Sequence, residues 1–189
     1  MLDGSGSIES QGKGNFQRSK DFVIDMVQSF NIGKDDTHVA VVLYSKEAQV
    51  VLKLGKYVDK VEKIVDKIEK MSYPGGTTKT GYALDKVRKD VFKDIKGSRE
   101  TVPNVVMVLT DGMSHDDVAK PAKELRDEGA TIISLGVGCC YDNDELKKMA
   151  SDPVDQHVFA VSFSALGEIK GRVREQICHG KFGLSWIEM

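Results

Sequence analysis

The feature that most constrains the fold is the alternation of short apolar runs with amphipathic helical segments. Residues 104–110 (NVVMVLT) and 131–137 (TIISLGV) are apolar at most positions. In a strand with one solvent-exposed face, apolar and polar residues would alternate. Elsewhere apolar residues recur at helical spacing, as at Val61, Ile64 and Ile68. Strands that are apolar on both faces and separated by helices are typical of a parallel sheet covered on both sides.

The same criteria extend along the whole chain. They predict helices at residues 15–30, 58–71, 78–94, 116–128, 142–150 and 164–178, and strands at residues 37–44, 48–54, 104–110, 131–137 and 157–161. Residues 48–54 alternate more weakly than the other strands, which indicates an edge position. We therefore predict an α/β fold: a doubly wound, mostly parallel central sheet with helices on both faces and one antiparallel edge strand.

Length and charge exclude several classes of protein. A chain of 189 residues is enough for one ordinary domain. Its 27 Lys and Arg nearly balance 29 Asp and Glu, giving a net charge of −2, so we expect neither nucleic acid nor an anionic lipid surface as a partner. The longest apolar runs are about six residues, far short of the roughly 20 that cross a bilayer.

Oxygen-bearing side chains cluster in three predicted loops. Asp3, Ser5 and Ser7 form a DxSxS pattern, residues 75–81 read GGTTKTG, and Asp111 follows the apolar run 104–110. Ligands of doubly wound sheets bind at the carboxyl ends of the strands. Carboxylates and hydroxyls without nitrogen or sulfur favour Mg²⁺, with Mn²⁺ or Ca²⁺ as substitutes.

With these motifs in this order, the chain resembles the von Willebrand factor type A domain over essentially its whole length. The stretch 116–126 is most similar to the A domains of matrilins and non-fibrillar collagens, and an integrin-like inserted domain is the second interpretation. The resemblance implies a metal-ion-dependent adhesion site. Its ligands would be Asp3, Ser5, Ser7, Thr78 and Asp111, since Thr78 opens the TxTG sequence that carries the family's ligand threonine.

The resemblance also implies what such a site does. In the family, a carboxylate of a partner protein completes the shell of the metal, so we expect an adhesion or matrix-binding module rather than an enzyme, bound to a protein that offers an acidic side chain. We expect the rim around the metal to be formed by Gly76, Thr77, Ser114 and His115. The expected location is extracellular, within a larger secreted protein or ectodomain.

Two alternatives remain open at this point. An intracellular scaffold subunit is consistent with the odd number of cysteines (Cys139, Cys140 and Cys178) and with the absence of a signal peptide at the start of the sequence. A metal-dependent hydrolase needs a base near the metal, for which His115 is the candidate.

We make further predictions for the two ends of the sequence. Only Met1 and Leu2 precede the DxSxS motif, where the family has a strand of about five apolar residues, so we expect a domain over residues 1–179 with a truncated first strand. Residues 180–189 are expected to be a tail or linker. The resemblance implies that Cys178 is one half of a disulfide whose partner lies outside this sequence.

Overall fold

The computed structural model describes residues 1–93, 99 and 102–179, with His179 described by its backbone alone. The tail predicted at residues 180–189 lies outside the described residues, and the proposed domain boundary stays a prediction. The strands are β1 (Leu2–Asp3), β2 (Val41–Tyr44), β3 (Ala48–Leu52), β4 (Val105–Thr110), β5 (Thr131–Val137) and β6 (Val158–Val161).

These strands form a single sheet in the order β3-β2-β1-β4-β5-β6. All neighbouring pairs run parallel except β2 and β3, which are antiparallel and place β3 at one edge. The described helices are α1 (Gly6–Ser10), α2 (Asn15–Gln28), α3 (Val61–Glu69), α4 (Thr80–Lys86), α5 (Ala119–Asp127), α6 (Asn143–Met149), α7 (Val154–His157) and α8 (Leu166–His179).

The apolar strands are explained by two separate hydrophobic layers. On one face of the sheet α2, α3 and α8 bury residues such as Met26, Ile68 and Val173. On the other face α4, α5 and α6 bury residues that include Leu84 and Leu125. Because both faces are covered, a strand gains from apolar residues at successive positions. The predicted doubly wound sheet with one antiparallel edge strand is therefore confirmed.

Several predicted elements are shorter in the structure. The strand predicted at residues 37–44 begins only at Val41, because Thr37 instead closes a loop by donating its N–H to the Asn31 carbonyl. The helix predicted at residues 78–94 begins at Thr80 and continues as a π-helical segment, Val87–Phe92. Lys79 precedes the helix with φ −123° and ψ 75°, outside the helical region, and its N–H donates to the Ser45 carbonyl at 3.0 Å.

The two-residue β1 occupies the middle of the sheet. Leu2 is level with Leu43 of β2 and with Leu109 of β4, and the Met1 amino group donates to the Met107 carbonyl at 2.6 Å. A cavity of about 200 Å³, lined largely by apolar side chains, lies beside Met1 between the first residues of β2 and β4. The carboxyl ends of β1 and β4 nevertheless lie side by side, and that is what places the candidate site.

Two features bear on the surroundings of the domain. Among the described residues, no helix is long and apolar enough to cross a membrane. The side chains of Cys139, Cys140 and Cys178 are free and exposed.

Candidate functional site

The site is built around Asp3, which ends β1 and is completely buried. One carboxylate oxygen, Oδ1, accepts the N–H of Ser5 at 2.8 Å. The other, Oδ2, accepts the hydroxyl of Thr110 at 2.7 Å. Thr110 is the last residue of β4, so this hydrogen bond joins the ends of two neighbouring parallel strands and fixes the orientation of the carboxylate.

The second carboxylate, Asp111, follows directly after β4 and is also buried. Its Oδ1 accepts the hydroxyl of Ser7 at 2.7 Å. The Ser7 hydroxyl lies 3.0 Å from that of Ser5. The first loop and the Asp111 loop, 104 residues apart in sequence at this contact, therefore form one continuous chain of oxygen atoms.

Thr78 lies on a third loop, just before α4. The loop is fastened to the first by a 2.7 Å hydrogen bond from the Gly6 N–H to the Gly76 carbonyl. A methyl group placed on Gly112 would lie 3.5 Å from the Ser7 hydroxyl oxygen and 4.0 Å from the Thr78 hydroxyl oxygen. Both hydroxyls thus lie near the same point beside Gly112.

The four residues expected at the rim have different surroundings. Gly76 and Thr77 are exposed, and Gly76 has a φ of 88°, a value that favours glycine. The Ser114 hydroxyl is engaged internally, since it donates to Asp116 at 2.6 Å and accepts the Thr80 N–H at 3.0 Å. His115 is exposed and its N–H donates to the Thr78 carbonyl at 2.8 Å.

The electrostatics of the site are those of two buried acids. Burial raises the pKa of Asp3. Burial also raises the pKa of Asp111 to about 6. The hydrogen bond from Ser7 lowers this pKa, and the negative charge of Asp3 raises it. The hydrogen-bond donors to both carboxylates are neutral: hydroxyls, a backbone N–H and the carboxamide of Gln11. Neutral donors offset part of the desolvation cost of two carboxylates, and a cation offsets more.

The residues present fit a hard divalent cation. Among the described residues, no group of three or more His, Cys, Asp and Glu side chains is arranged to hold a metal ion, and this site offers two carboxylates together with hydroxyls. The side chain of Tyr44 is fully buried near Asp3 and Asp111, with the side chains of Thr80 and Thr110 as polar neighbours. Burial raises its pKa, and the nearby charge of Asp3 raises it further. The phenol oxygen of Tyr44 adds to the oxygen-rich surroundings of the two acids, which suit a hard cation.

Three residues of the site were not predicted from the sequence. Gln11 donates its carboxamide N–H to Asp111 Oδ2 at 2.6 Å. Tyr73 donates its hydroxyl to the Ser5 carbonyl at 2.8 Å. Thr110 could have been identified, because it precedes Asp111 at the end of a predicted strand. Neither Gln11 nor Tyr73 belongs to a motif that signals its role.

Comparison with known sequences gives a consistent family assignment. The family model described as the von Willebrand factor type A domain matches residues 1–172. The chain is 34% identical over 184 residues to the collagen alpha-1(XII) chain of Notophthalmus viridescens and 32% identical over 182 residues to Matrilin-2 of Mus musculus. These matches cover 97% and 94% of this chain but only 19% and 18% of the relatives, so the chain spans about a fifth of their length.

Solved structures share the fold. Proximal thread matrix protein 1 from the mussel byssus matches with a TM-score of 0.86 and 31% identity, covering 94% of this chain and 46% of that one. A structure of the same protein described as having a zinc-occupied MIDAS motif matches with a TM-score of 0.84 and 32% identity, covering 94% of this chain and 44% of that one.

Proposed function

We propose that this chain, which belongs to the von Willebrand factor type A domain family, is an extracellular matrix-binding module that binds protein partners through a divalent cation. The cation would be Mg²⁺, with Mn²⁺ or Ca²⁺ as substitutes, and its ligands would come from Asp3, Ser5, Ser7, Thr78 and Asp111. The partner would contribute an acidic side chain. The single observation that carries the proposal is the convergence of two buried carboxylates and neighbouring hydroxyls from three loops.

The residue types suit this role. Two carboxylates match the charge of a divalent cation, and hydroxyls add neutral ligands, directly or through water. A bound divalent cation supplies an electrophilic centre to which a carboxylate of another protein can bind. Asp3 and Asp111 are already oriented by Thr110, Ser7 and Gln11, so little ordering is needed when a cation enters.

The relatives support the matrix setting. Collagens, matrilins and a byssal thread matrix protein are among the proteins that this chain resembles. A zinc-occupied MIDAS motif is described for one of these structures, which supports cation binding by the matching loops. We carry both features over to this chain as part of the proposal.

The two alternatives have less support. For a hydrolase, His115 is the candidate base, yet both its backbone N–H and its ring nitrogen Nδ1 lie within 3.2 Å of the Thr78 carbonyl. This places the imidazole against the backbone rather than against either carboxylate. An intracellular scaffold remains compatible with the three exposed thiols, and the same cation site would serve it.

The test compares adhesion with and without the cation. Purified protein should bind immobilised extracellular matrix in millimolar Mg²⁺ and lose this binding in EDTA. Asp3→Ala and Asp111→Ala should abolish the Mg²⁺-dependent binding, whereas Asp66→Ala, at an exposed pair with Lys70 on α3, should not change it. Equal binding in EDTA and in Mg²⁺ would overturn the proposal.

A further inference from the structure

Two adjacent cysteines, Cys139 and Cys140, lie on the loop between β5 and α6. Both side chains are free and exposed. An exposed dithiol of this kind is open to reaction with disulfides in the surrounding solution. The pair therefore forms a second cluster of reactive side chains, chemically distinct from the carboxylates and hydroxyls of the candidate cation site.

The first of these cysteines holds the carbonyl end of the Gln11 side chain. The Cys139 backbone N–H donates to Gln11 Oε1 at 2.9 Å, and its thiol donates to the same oxygen at 3.3 Å. Gly138 confines this oxygen as well, since a methyl group on that glycine would overlap it. The carbonyl of Gln11 is therefore packed closely against the loop that carries the dithiol.

The amide end of the same side chain reaches the candidate cation site. Gln11 Nε2 donates to Asp111 Oδ2 at 2.6 Å and lies 3.4 Å from the Asp111 carbonyl oxygen. One side chain thus joins the Cys139 thiol to a carboxylate that is proposed to bind the cation. A chemical change at the thiol has a short physical route to Asp111.

The two thiols differ in their tendency to ionise. Side-chain hydrogen bonding with Cys139 raises the pKa of Cys140, and partial desolvation and the negative charges of Cys139 and Asp111 raise it further. Cys140 therefore keeps its proton more firmly than an ordinary cysteine. Because the thiolate is the form that attacks a disulfide, we expect exchange to begin at Cys139.

We propose, on the premise of the function proposed above, that Cys139 is a site of thiol–disulfide exchange and that its modification weakens the cation site through Gln11. The reacting molecule is a small disulfide, a class of compound that persists in oxidising extracellular surroundings.

The exchange balances without a further reactant. The Cys139 thiol loses its proton to solvent, and the thiolate attacks one sulfur of the small disulfide. A bond forms between Cys139 Sγ and that sulfur, the original S–S bond breaks, and the other sulfur leaves as a thiolate. Cys139 is oxidised and the leaving sulfur is reduced, and an added free thiol reverses the reaction.

The modification removes one of the contacts that hold Gln11. A sulfur in a mixed disulfide has no S–H, so it cannot donate to Gln11 Oε1, and its new substituent adds volume beside a carbonyl that is already confined by Gly138. The contact from the Cys139 N–H remains. We therefore expect Mn²⁺ affinity to fall by roughly threefold to tenfold, less than on removal of the whole Gln11 side chain.

The experiment uses two variants of the full chain that each keep one thiol. Cys140→Ser combined with Cys178→Ser leaves Cys139, whereas Cys139→Ser combined with Cys140→Ser leaves Cys178 on α8. Both proteins are treated with hydroxyethyl disulfide, whose adduct is uncharged, and the adduct is verified by mass spectrometry. Calorimetry then gives Mn²⁺ affinity before and after modification.

Modification should lower Mn²⁺ affinity by roughly threefold to tenfold in the protein that keeps Cys139, and should leave it unchanged in the matched control that keeps Cys178. By thermodynamic linkage, saturating Mn²⁺ should disfavour the mixed disulfide at Cys139 by the same factor. In the unmutated chain, peptide mapping after brief exposure should locate the first adduct on Cys139, and a first adduct on Cys140 would overturn the assignment.

A further variant tests the route through Gln11. With Gln11→Ala added to the protein that keeps Cys139, modification should cause no additional loss of Mn²⁺ affinity, because the connecting side chain is gone. In EDTA, modification of Cys139 should shift the NMR signals of the Gln11 side-chain amide, a readout that needs no cation.

The outcomes separate the two proposals. Equal Mn²⁺ affinity before and after modification of Cys139, or an undiminished loss in the presence of Gln11→Ala, would overturn this inference and leave the cation-dependent function standing. Absence of Mn²⁺ binding by the unmodified protein would overturn both.

Discussion

The carboxamide of Gln11 donates a 2.6 Å hydrogen bond to Oδ2 of Asp111, across 100 residues of sequence. The same side chain accepts the N–H of Cys139 at 2.9 Å through its Oε1. Gln11 thus connects the segment after α1, the loop after β4 and the loop after β5. If the proposed cation binds to Asp111, Gln11 would support its affinity by orienting the carboxylate without touching the ion.

Replacing Gln11 should weaken cation binding. In Gln11→Ala the Oδ2 atom of Asp111 loses its donor, and loss of such a support typically costs about tenfold to a hundredfold in metal affinity. Mn²⁺ affinity measured by isothermal titration calorimetry checks this. Gln17→Ala provides the matched control, because Gln17 makes an exposed contact with Asp21 on α2. Equal affinities for the two variants would show that Gln11 does not position Asp111.

Asp111→Asn should separate stability from cation binding. The pKa of Asp111 is raised to about 6, so at pH 7.5 the ionised side chain destabilises the cation-free protein. Removing its charge should raise the free energy of unfolding in EDTA by about 1 to 2 kcal/mol. Mg²⁺ should then stabilise the wild type but not the variant. Urea denaturation in EDTA and in Mg²⁺ gives the free energy of unfolding under each condition. An Asp111→Asn protein that is less stable than the wild type in EDTA would contradict the expectation.

Asp111 should make the stability of the cation-free protein decrease as the pH rises. Because the pKa of Asp111 is higher in the folded state than its ordinary value of 3.8, protonation favours folding. Its stabilising contribution is fully present below pH 3.8 and is lost as the pH rises through about 6. The difference in unfolding free energy between wild type and Asp111→Asn in EDTA, measured from pH 4 to 8, isolates this contribution from other acids.

With saturating Mg²⁺ the dependence on pH should reverse. Protons compete with the cation for Asp3 and Asp111, so stabilisation by Mg²⁺ should be greatest above pH 6 and should decline below it. Melting temperature in Mg²⁺ minus melting temperature in EDTA, plotted against pH, reports this directly. A difference that is flat across pH 6 would count against ligation by Asp111.

Gly81 should tolerate no side chain. A methyl group there would collide with the Asp117 carbonyl oxygen and approach Asp116 Oδ1 to 3.0 Å. Gly81→Ala should therefore push α4 away from the loop at residues 116–117, lower the free energy of unfolding by about 2 kcal/mol or more, and weaken cation binding through Thr78. Gly167→Ala in α8, where nothing lies within 4 Å, should be neutral or stabilising by up to about 1 kcal/mol. Thermal denaturation of both variants makes the comparison.

The sequence predicted the β4 and β5 regions well. Residues 131–137 were predicted as a strand and form β5 at the same bounds. A strand covered on both faces buries apolar residues at successive positions, which is the pattern of this segment. Boundaries were less accurate where a distant group decides them. Lys79 has a non-helical φ of −123° and ψ of 75°, and its N–H donates to the Ser45 carbonyl, a long-range contact that local propensity does not contain.

For the site, the sequence named the oxygen-bearing residues but not what holds them. Asp3, Ser7 and Asp111 stand in motifs whose positions at strand ends follow from the apolar runs beside them. Gln11 and Tyr73 stand in no motif, and their contacts with Asp111 and with the Ser5 carbonyl exist because the loops after β1 and β4 and before α4 meet.

What the sequence by itself determined is the layered α/β architecture and the chemistry of the acids and hydroxyls, because hydrophobic periodicity and residue type are local properties of the chain. Only the tertiary structure decided that Gln11 contacts Asp111 and that Tyr73 contacts the Ser5 carbonyl. These contacts depend on how the loops at the carboxyl ends of the strands come together, and residues far apart in sequence become neighbours only when the sheet has formed.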